Sequence, residues 1–491
     1  MRGMSAEDIL YAGVADLGQA YRARQLSPVE VVSAHLARIA AADPDLHAYI
    51  TVTSERAMEQ ARRAERALRS GSDRGALHGI PYAIKDQILT AGIRTTAGSS
   101  LLAEWFPPVD AAAVERLDGA GAILLGKLNM MEFALGRPRH YTYGIPRNPW
   151  NPAHETGGSS SGSGAAPAAG MATVTLGEDT GGSIRHPAAH CGVTGLRPTW
   201  GLVSRYGVLP AVWHLDTLGP MARTVADAAV VLRVIAGRDL RDPTTHSGTV
   251  PDYVADLDGS LRGIRIGLIR ELLPGPGLSE EALASVHDAA LVLQRLGASL
   301  TEVSIPLARD AGAIYTAFAE PEAARVHLSS LRHAADRYDR NVRIRLARGL
   351  LVPAAAARWA EEVGRRAVVA QVTEALATCD VLVAPTTPTV APSIDEGHHS
   401  RPVTEQDIRR EFAMQAYRMP LSFHGGPVLA VCCGFGRDAL PLSMQIASVP
   451  HRDALVLRIG HAYQRATDWH LRRPRPITPG QDPEGDSESL S

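Results

Sequence analysis

The chain has 491 residues, a formal net charge of −2, 45% hydrophobic residues and 21% charged ones. That composition suits a globular protein with a large core, which needs neither a disulfide nor a metal staple. The near-neutral balance offers no field for nucleic acid or an anionic membrane, and no apolar run reaches the ~18 residues of a membrane span.

Residues 1 to 20 carry scattered charges and no continuous apolar signal core, so the expected location is cytoplasmic. Residues 5 to 70 read as helical, with Ser27-Pro28-Val29-Glu30 as an N-cap, an N1 proline and a helix start. Residues 55 to 69 form an arginine-rich amphipathic helix. Residues 78 to 90 predict a short buried strand containing Lys85, and 111 to 131 a helix followed by a strand from Gly121. The small-residue stretch after Gly164 predicts a helix leading into a strand near Val174–Leu176. The segment 226–236, interrupted by Arg233, reads as a buried helix.

Strands are expected again over 261–268, 380–385 and 428–433, with helices over 279–296 and 453–469. Alternating strands and helices predict an α/β fold, a central mixed sheet covered by helices on both faces. No repeat or long linker divides it. One large domain is expected over 1–470, with a disordered tail rich in Pro, Gly, Ser and acidic residues over 471–491.

Of the 50 basic residues only Lys85 and Lys127 are lysine; the other 48 are arginine. The plain reading of the arginines is a genome bias toward arginine codons. Such a bias leaves a surface charge no reason to stay lysine, whereas a base that must lose its proton cannot be arginine. Cys191, Cys379, Cys432 and Cys433 have no metal-ligand or redox spacing and read as reduced core thiols.

The densest signal lies between Thr156 and Pro198. Ser159 follows Gly157-Gly158, and Ser183 follows Gly181-Gly182. Glycine lets a backbone approach a ligand and turn its N–H groups inward. A serine in such a turn is either a loop residue or a nucleophile beside an oxyanion hole. Two motif matches fall away. Gly121–Lys127 has the spacing of a phosphate-binding loop, but Leu128 stands where a magnesium-binding Ser or Thr belongs. Gly158–Gly162 fits G-x-S-x-G, but a proline-broken loop precedes it where a nucleophile elbow needs a strand.

Gly157–Ser163, Gly177–Arg185, Pro187-Ala188 and Gly192–Thr199 together resemble the signature of the amidase signature family. His78–Asp86 is similar to its lysine strand and Gly126–Ala134 to its G-K-x-N-x-x-E-F-A segment. Leu215-Asp216, Gly219-Pro220, Pro385–Pro388, Leu440-Pro441 and Gln445-Ile446 also fit, so the resemblance covers about residues 7 to 470.

The resemblance implies hydrolysis of a small-molecule amide with neither metal nor cofactor, in a family that often forms homodimers. It implies a triad of Ser183 as nucleophile, Ser159 as a bridging serine on a cis peptide, and Lys85 as base. The serines are 24 positions apart, the usual family spacing. The chemistry is coherent by itself: a serine needs a base within reach, and burial lowers a lysine's pKa toward a usable value. The backbone N–H groups of Thr180, Gly181, Gly182 and Ser183 would form the oxyanion hole, with Asp179 and Arg185 bracing the turn. Lys127 is expected to be structural.

Glu178 stands where the family commonly has threonine, and Pro167 interrupts the small-residue helix; neither is expected to touch the triad. His186 stands where the A subunits of glutamyl-tRNA amidotransferases commonly carry glutamine. The acid those subunits tend to carry before a C-terminal G-L-P is missing from Gln415–Pro427, which favours a free-standing amidase over an amidotransferase component. His186, Phe423, His424 and the segment 137–143 are candidate pocket-edge groups.

Overall fold

The computed structural model describes residues 5–136, 140–397 and 405–475. An 11-stranded sheet runs through it. In chain order the strands are β1 (Tyr49–Val52), β2 (Pro81–Lys85), β3 (Ile123–Leu128), β4 (Val174–Glu178), β5 (Thr194–Arg197), β6 (Leu218–Ala222), β7 (Arg265–Ile269), β8 (Ser299–Val303), β9 (Val381–Pro385), β10 (Val428–Phe435) and β11 (Pro441–Ala447). Their spatial order is β1-β3-β2-β4-β6-β5-β10-β11-β9-β7-β8. Two parallel blocks, β3-β2-β4 and β9-β7-β8, flank an antiparallel centre. The sheet is mixed and lies in one α/β domain, as the alternation of elements predicts.

Burial on both faces shows in the strands themselves. Tyr82 and Ile84 of β2 pack into one apolar cluster with Val225, Val231 and Ile235 from the helix Val225–Ile235. Ala83, between them, packs into another with Ala165, Ala166 and Ala188. Successive strand side chains point to opposite faces, so such a strand reads as an unbroken apolar run. Lys85 shares the Ala83 face. That face carries the helices Ser161–Ala168 and Arg185–Cys191, which follow the two glycine turns.

Three expectations need correction. The predominantly helical region 5–70 contains β1, a four-residue strand paired antiparallel to β3. The helix after the first glycine turn begins at Ser161 rather than after Gly164, and Pro167 sits inside its last turn. Order also continues past 470: Arg472 stacks on Trp469 and Phe435, and Arg473 on Tyr11. The rest of the expected tail, 476–491, lies outside the described residues.

Small residues decide how closely the helix Ser161–Ala168 seats. A Cβ on Gly162 would run into the carbonyl oxygen of Ala48 and come within 2.8 Å of the Asn129 nitrogen. These are backbone atoms and cannot swing aside. Gly162→Ala, a helix-favouring change elsewhere, is therefore expected to destabilise the protein by ~1–3 kcal/mol. Thermal unfolding beside wild type checks the sign.

Candidate active site

Lys85 and Glu178 end neighbouring parallel strands, where open α/β sheets leave a crevice. Lys85 is fully buried, and its Nζ donates to Ser159 Oγ at 2.8 Å. It also donates to Glu178 Oε2 at 3.1 Å and to the Glu178 carbonyl oxygen at 3.4 Å. Glu178 thus touches Lys85, the expected base, contrary to expectation: the threonine-to-glutamate departure falls inside the site. Burial lowers the Lys85 pKa, and Glu178, foremost among the nearby acids, opposes that shift.

The Gly158–Ser159 peptide is cis, and Gly157 before it has φ +73°. The Ser161 hydroxyl donates to the Gly157 carbonyl at 2.8 Å and closes the turn. Ser160 N donates to the Ser183 carbonyl at 3.2 Å, which ties the two serine turns together. Ser183 is half-buried, and its hydroxyl makes no hydrogen bond with the described residues.

Asp179 organises the second turn. Its carboxylate accepts from Gly182 N at 2.7 Å, Ile184 N at 3.2 Å and Arg185 N at 3.3 Å. Arg185 Nε and Nη2 donate to it at 3.0 and 3.1 Å, and Arg197 donates to its backbone carbonyl. Burial alone would raise the Asp179 pKa. Arg185, Arg197 and the Gly182 N–H outweigh burial and hold it well below the usual carboxylate range. Arg185 also reaches Gln445 Oε1 at 3.0 Å and Ser422 Oγ at 2.6 Å.

This arrangement corrects the expected oxyanion hole. The Gly182 N–H is committed to Asp179 and is not a free donor. The N–H groups of Thr180, Gly181 and Ser183 have no acceptor among the described residues. Gly182 has φ +118°, which glycine tolerates, and a Cβ there would strike Arg418. A Cβ on Gly181 would strike Met419. Met419 belongs to a buried apolar cluster with Val212, Leu215, Tyr315, Phe318 and Phe423.

The remaining predicted residues disperse. His186 is buried against the Gly157-Gly158 backbone, with Nδ1 3.3 Å from Gly158 N and its ring edge-on to His190. It supports the first turn from behind. Phe423 packs into the Met419 cluster and, with His424, also lines a cavity of about 200 Å³ beside Trp200, His246, Arg365 and His451. Burial lowers the His424 pKa. Of the segment 137–143, residues 137–139 lie outside the described residues, and Tyr143 donates to the Ser99 carbonyl at 3.4 Å. Lys127 is buried on β3, donating to the Ile88 carbonyl at 2.7 Å and Thr95 Oγ1 at 2.6 Å, with Asp86 3.3 Å away. Those bonds join three segments, as expected of a structural lysine.

Sequence reading missed two acidic groups. Asp216 belongs to the Leu215-Asp216 match but carried no role. Its carboxylate accepts from Ala211 N and Val212 N at 2.8 and 2.9 Å, and the Thr180 hydroxyl lies 2.7 Å from it. Burial and the charge of Glu178 raise its pKa well above the usual range. Glu178 was noticed only as a departure; an acid at the end of a buried strand, two residues before the turn, was the available signal.

A buried lysine joined to a serine, beside a glycine turn with free amides, on a mixed α/β sheet, is the set of groups that amide hydrolysis through a serine calls for. The family model for amidases matches residues 30–457, and the chain belongs to the amidase signature family. Among its relatives, the A subunit of the glutamyl-tRNA(Gln) amidotransferase of Roseiflexus sp. (strain RS-1) is 42% identical over 94% of this chain and 97% of its own. The native peptide amidase of Stenotrophomonas maltophilia superposes with a TM-score of 0.81 at 34% identity, covering 94% of this chain and 98% of the other. A vestigial protein complex bearing on the origins of an s-triazine catabolic enzyme contains a chain that superposes with a TM-score of 0.85 at 34% identity, covering 92% and 98%. Among the described residues no helix is long and apolar enough to cross a membrane.

Proposed function

We propose that the chain is an amidase that cleaves the C–N bond of a linear carboxamide through an acyl-enzyme on Ser183. The observation that carries this reading is the 2.8 Å bond between Lys85 Nζ and Ser159 Oγ in a fully buried site joined to the Ser183 turn. Neutral Lys85 takes the Ser159 proton as Ser159 takes that of Ser183. The Ser183 oxygen bonds to the substrate carbonyl carbon. The resulting oxyanion accepts from the free amides near Thr180, Gly181 and Ser183, each worth on the order of 3 kcal/mol. Collapse breaks the C–N bond, and the relayed proton leaves with the amine. Water, deprotonated along the same relay, then releases the acid and regenerates Ser183.

We assign the acyl side of the substrate to the apolar wall around Met419. The helix segment from Gln415 to His424 that bears it carries no carboxylate to hold an amino-acid ammonium. This favours a free-standing amidase for apolar or aromatic amides. The reading is tested by hydrolysis of aliphatic, aromatic and amino-acid amides with Ser183→Ala protein as the blank. Phenylacyl or longer aliphatic amides are expected to turn over fastest, and glutamine slowly. The second reading, the glutaminase component of a tRNA amidotransferase, is favoured by the 42% identity to such a protein. Glutamine as the preferred substrate, together with co-purification of partner proteins from the native source, would establish it instead.

A further inference from the structure

Glu178 has chemistry that the Ser183–Ser159–Lys85 reading leaves unused. Its side chain is 1% exposed and faces a lysine side chain that is 0% exposed. An ammonium has three hydrogens and a neutral amine two. Lys85 Nζ has three acceptors around it: Ser159 Oγ, Glu178 Oε2 and the Glu178 carbonyl. Two of the three come from Glu178, so the site is shaped for the protonated lysine, the form created as the serine is activated.

The far side of Glu178 is also organised. Its Oε1 accepts from Thr180 Oγ1 at 2.8 Å, while the same hydroxyl lies 2.7 Å from Asp216 Oδ1. One hydroxyl supplies one hydrogen, so one carboxyl must bring another. Burial and the neighbouring Glu178 both favour the proton on Asp216. The hydrogen bonds then run one way, from Asp216 through Thr180 into Glu178, and leave its charge for Lys85. The other charged and titratable groups facing this pair are more remote: Asp179 toward Lys85, and Arg197, Arg205 and Tyr315 toward Glu178.

We propose that Glu178 is a fourth member of the relay, a positioning residue acting through Lys85, whose carboxylate stabilises the ammonium that Lys85 becomes when it takes the proton of Ser183 by way of Ser159. It does for the lysine what the buried aspartate of a Ser-His-Asp triad does for its histidine. The inference rests on Lys85 being the base. Its consequence is paired. A carboxylate makes the lysine a stronger base and also moves to higher pH the point at which the resting ammonium gives up its proton.

Glu178→Gln keeps the length and an acceptor and removes the charge. It is expected to lower kcat by about tenfold or more with KM little changed, and to move the rising limb of kcat against pH down by about one unit or more. Glu178→Asp is expected to recover part of the limb position. Because the chain has only two lysines, protein labelled with carbon-13 at lysine Cε gives two signals, and the one lost in Lys85→Met reports Lys85 directly. The titration midpoint of that signal is expected to be lower in Glu178→Gln than in wild-type protein.

A rising limb and a Cε midpoint that stay in place in Glu178→Gln, whatever the rate, would overturn the proposal and leave Glu178 a brace. Wild-type rates in Lys85→Ala would instead bring down the base assignment itself, so the two failures are distinguishable.

Discussion

Ser183→Ala and Lys85→Ala proteins, each folded, are expected to lose kcat by roughly 10⁴- to 10⁶-fold, the scale seen when one member of a cooperating nucleophile–base set is removed. The alanine at 183 has no oxygen with which to form the acyl-enzyme. The alanine at 85 removes the only amine within hydrogen-bond reach of Ser159 among the described residues. Neither change alters the apolar wall around Met419, so KM is expected to hold within a few-fold. The double variant is expected to be no slower than the worse single one, because removal of either member already stops the relay. Single-turnover assays with the best amide from the screen, beside a serine-directed probe that labels wild type and not Ser183→Ala, measure both points. Arginine at 85 would not rescue, since a guanidinium keeps its proton.

The largest effect on stability is expected at Asp179. It lies between Arg185 and Arg197, all three fully buried, with Nε of Arg185 at 3.0 Å and Nη1 of Arg197 at 3.7 Å. Asp179→Asn keeps the volume, removes the charge and turns an amide N–H₂ toward groups that only donate. Leaving buried guanidiniums uncompensated typically costs about 3–5 kcal/mol. For a chain of this length that corresponds to a fall of roughly 3–5 °C in the unfolding midpoint. By contrast, Glu59→Ala, which breaks the exposed pair with Arg63, is expected to change stability by less than ~0.5 kcal/mol.

The same contacts give a pH dependence. Asp179 has its pKa depressed on folding, so it adds stability above the ordinary carboxylate range. That contribution is lost as pH falls below ~4 toward the folded value. Equilibrium unfolding of wild type from pH 7 downward is expected to show a loss that is shallower in Asp179→Asn. The variant is also expected to lose turnover, because the Gly182 N–H and the two amides that follow Ser183 lean on that carboxylate.

Much of this was open to the sequence. Glycines at 157, 158, 181 and 182 exclude most uses other than a tight approach of backbone to ligand. Two lysines among 50 basic residues single out Lys85 and Lys127, and an unbroken apolar strand around Lys85 announces its burial. These are local properties, carried by composition and spacing. The alternation of elements predicted the fold class, while the triad roles of Ser183, Ser159 and Lys85 and the structural role of Lys127 came with the family resemblance.

The tertiary structure decided what lies far apart in the chain. Lys85 and Glu178 are 93 residues apart and meet because β2 and β4 pair in parallel. Nothing in either segment announces that pairing, so a glutamate read as a harmless departure became the lysine's carboxylate partner. The Gly182 amide was expected to face the substrate, but the bend of the turn gives it to Asp179. His186 was expected at the pocket and packs behind the first turn instead. In each case the residue type states what a group can do. The direction in which the backbone aims it is set by strand order and turn geometry, which are sums of many distant contacts.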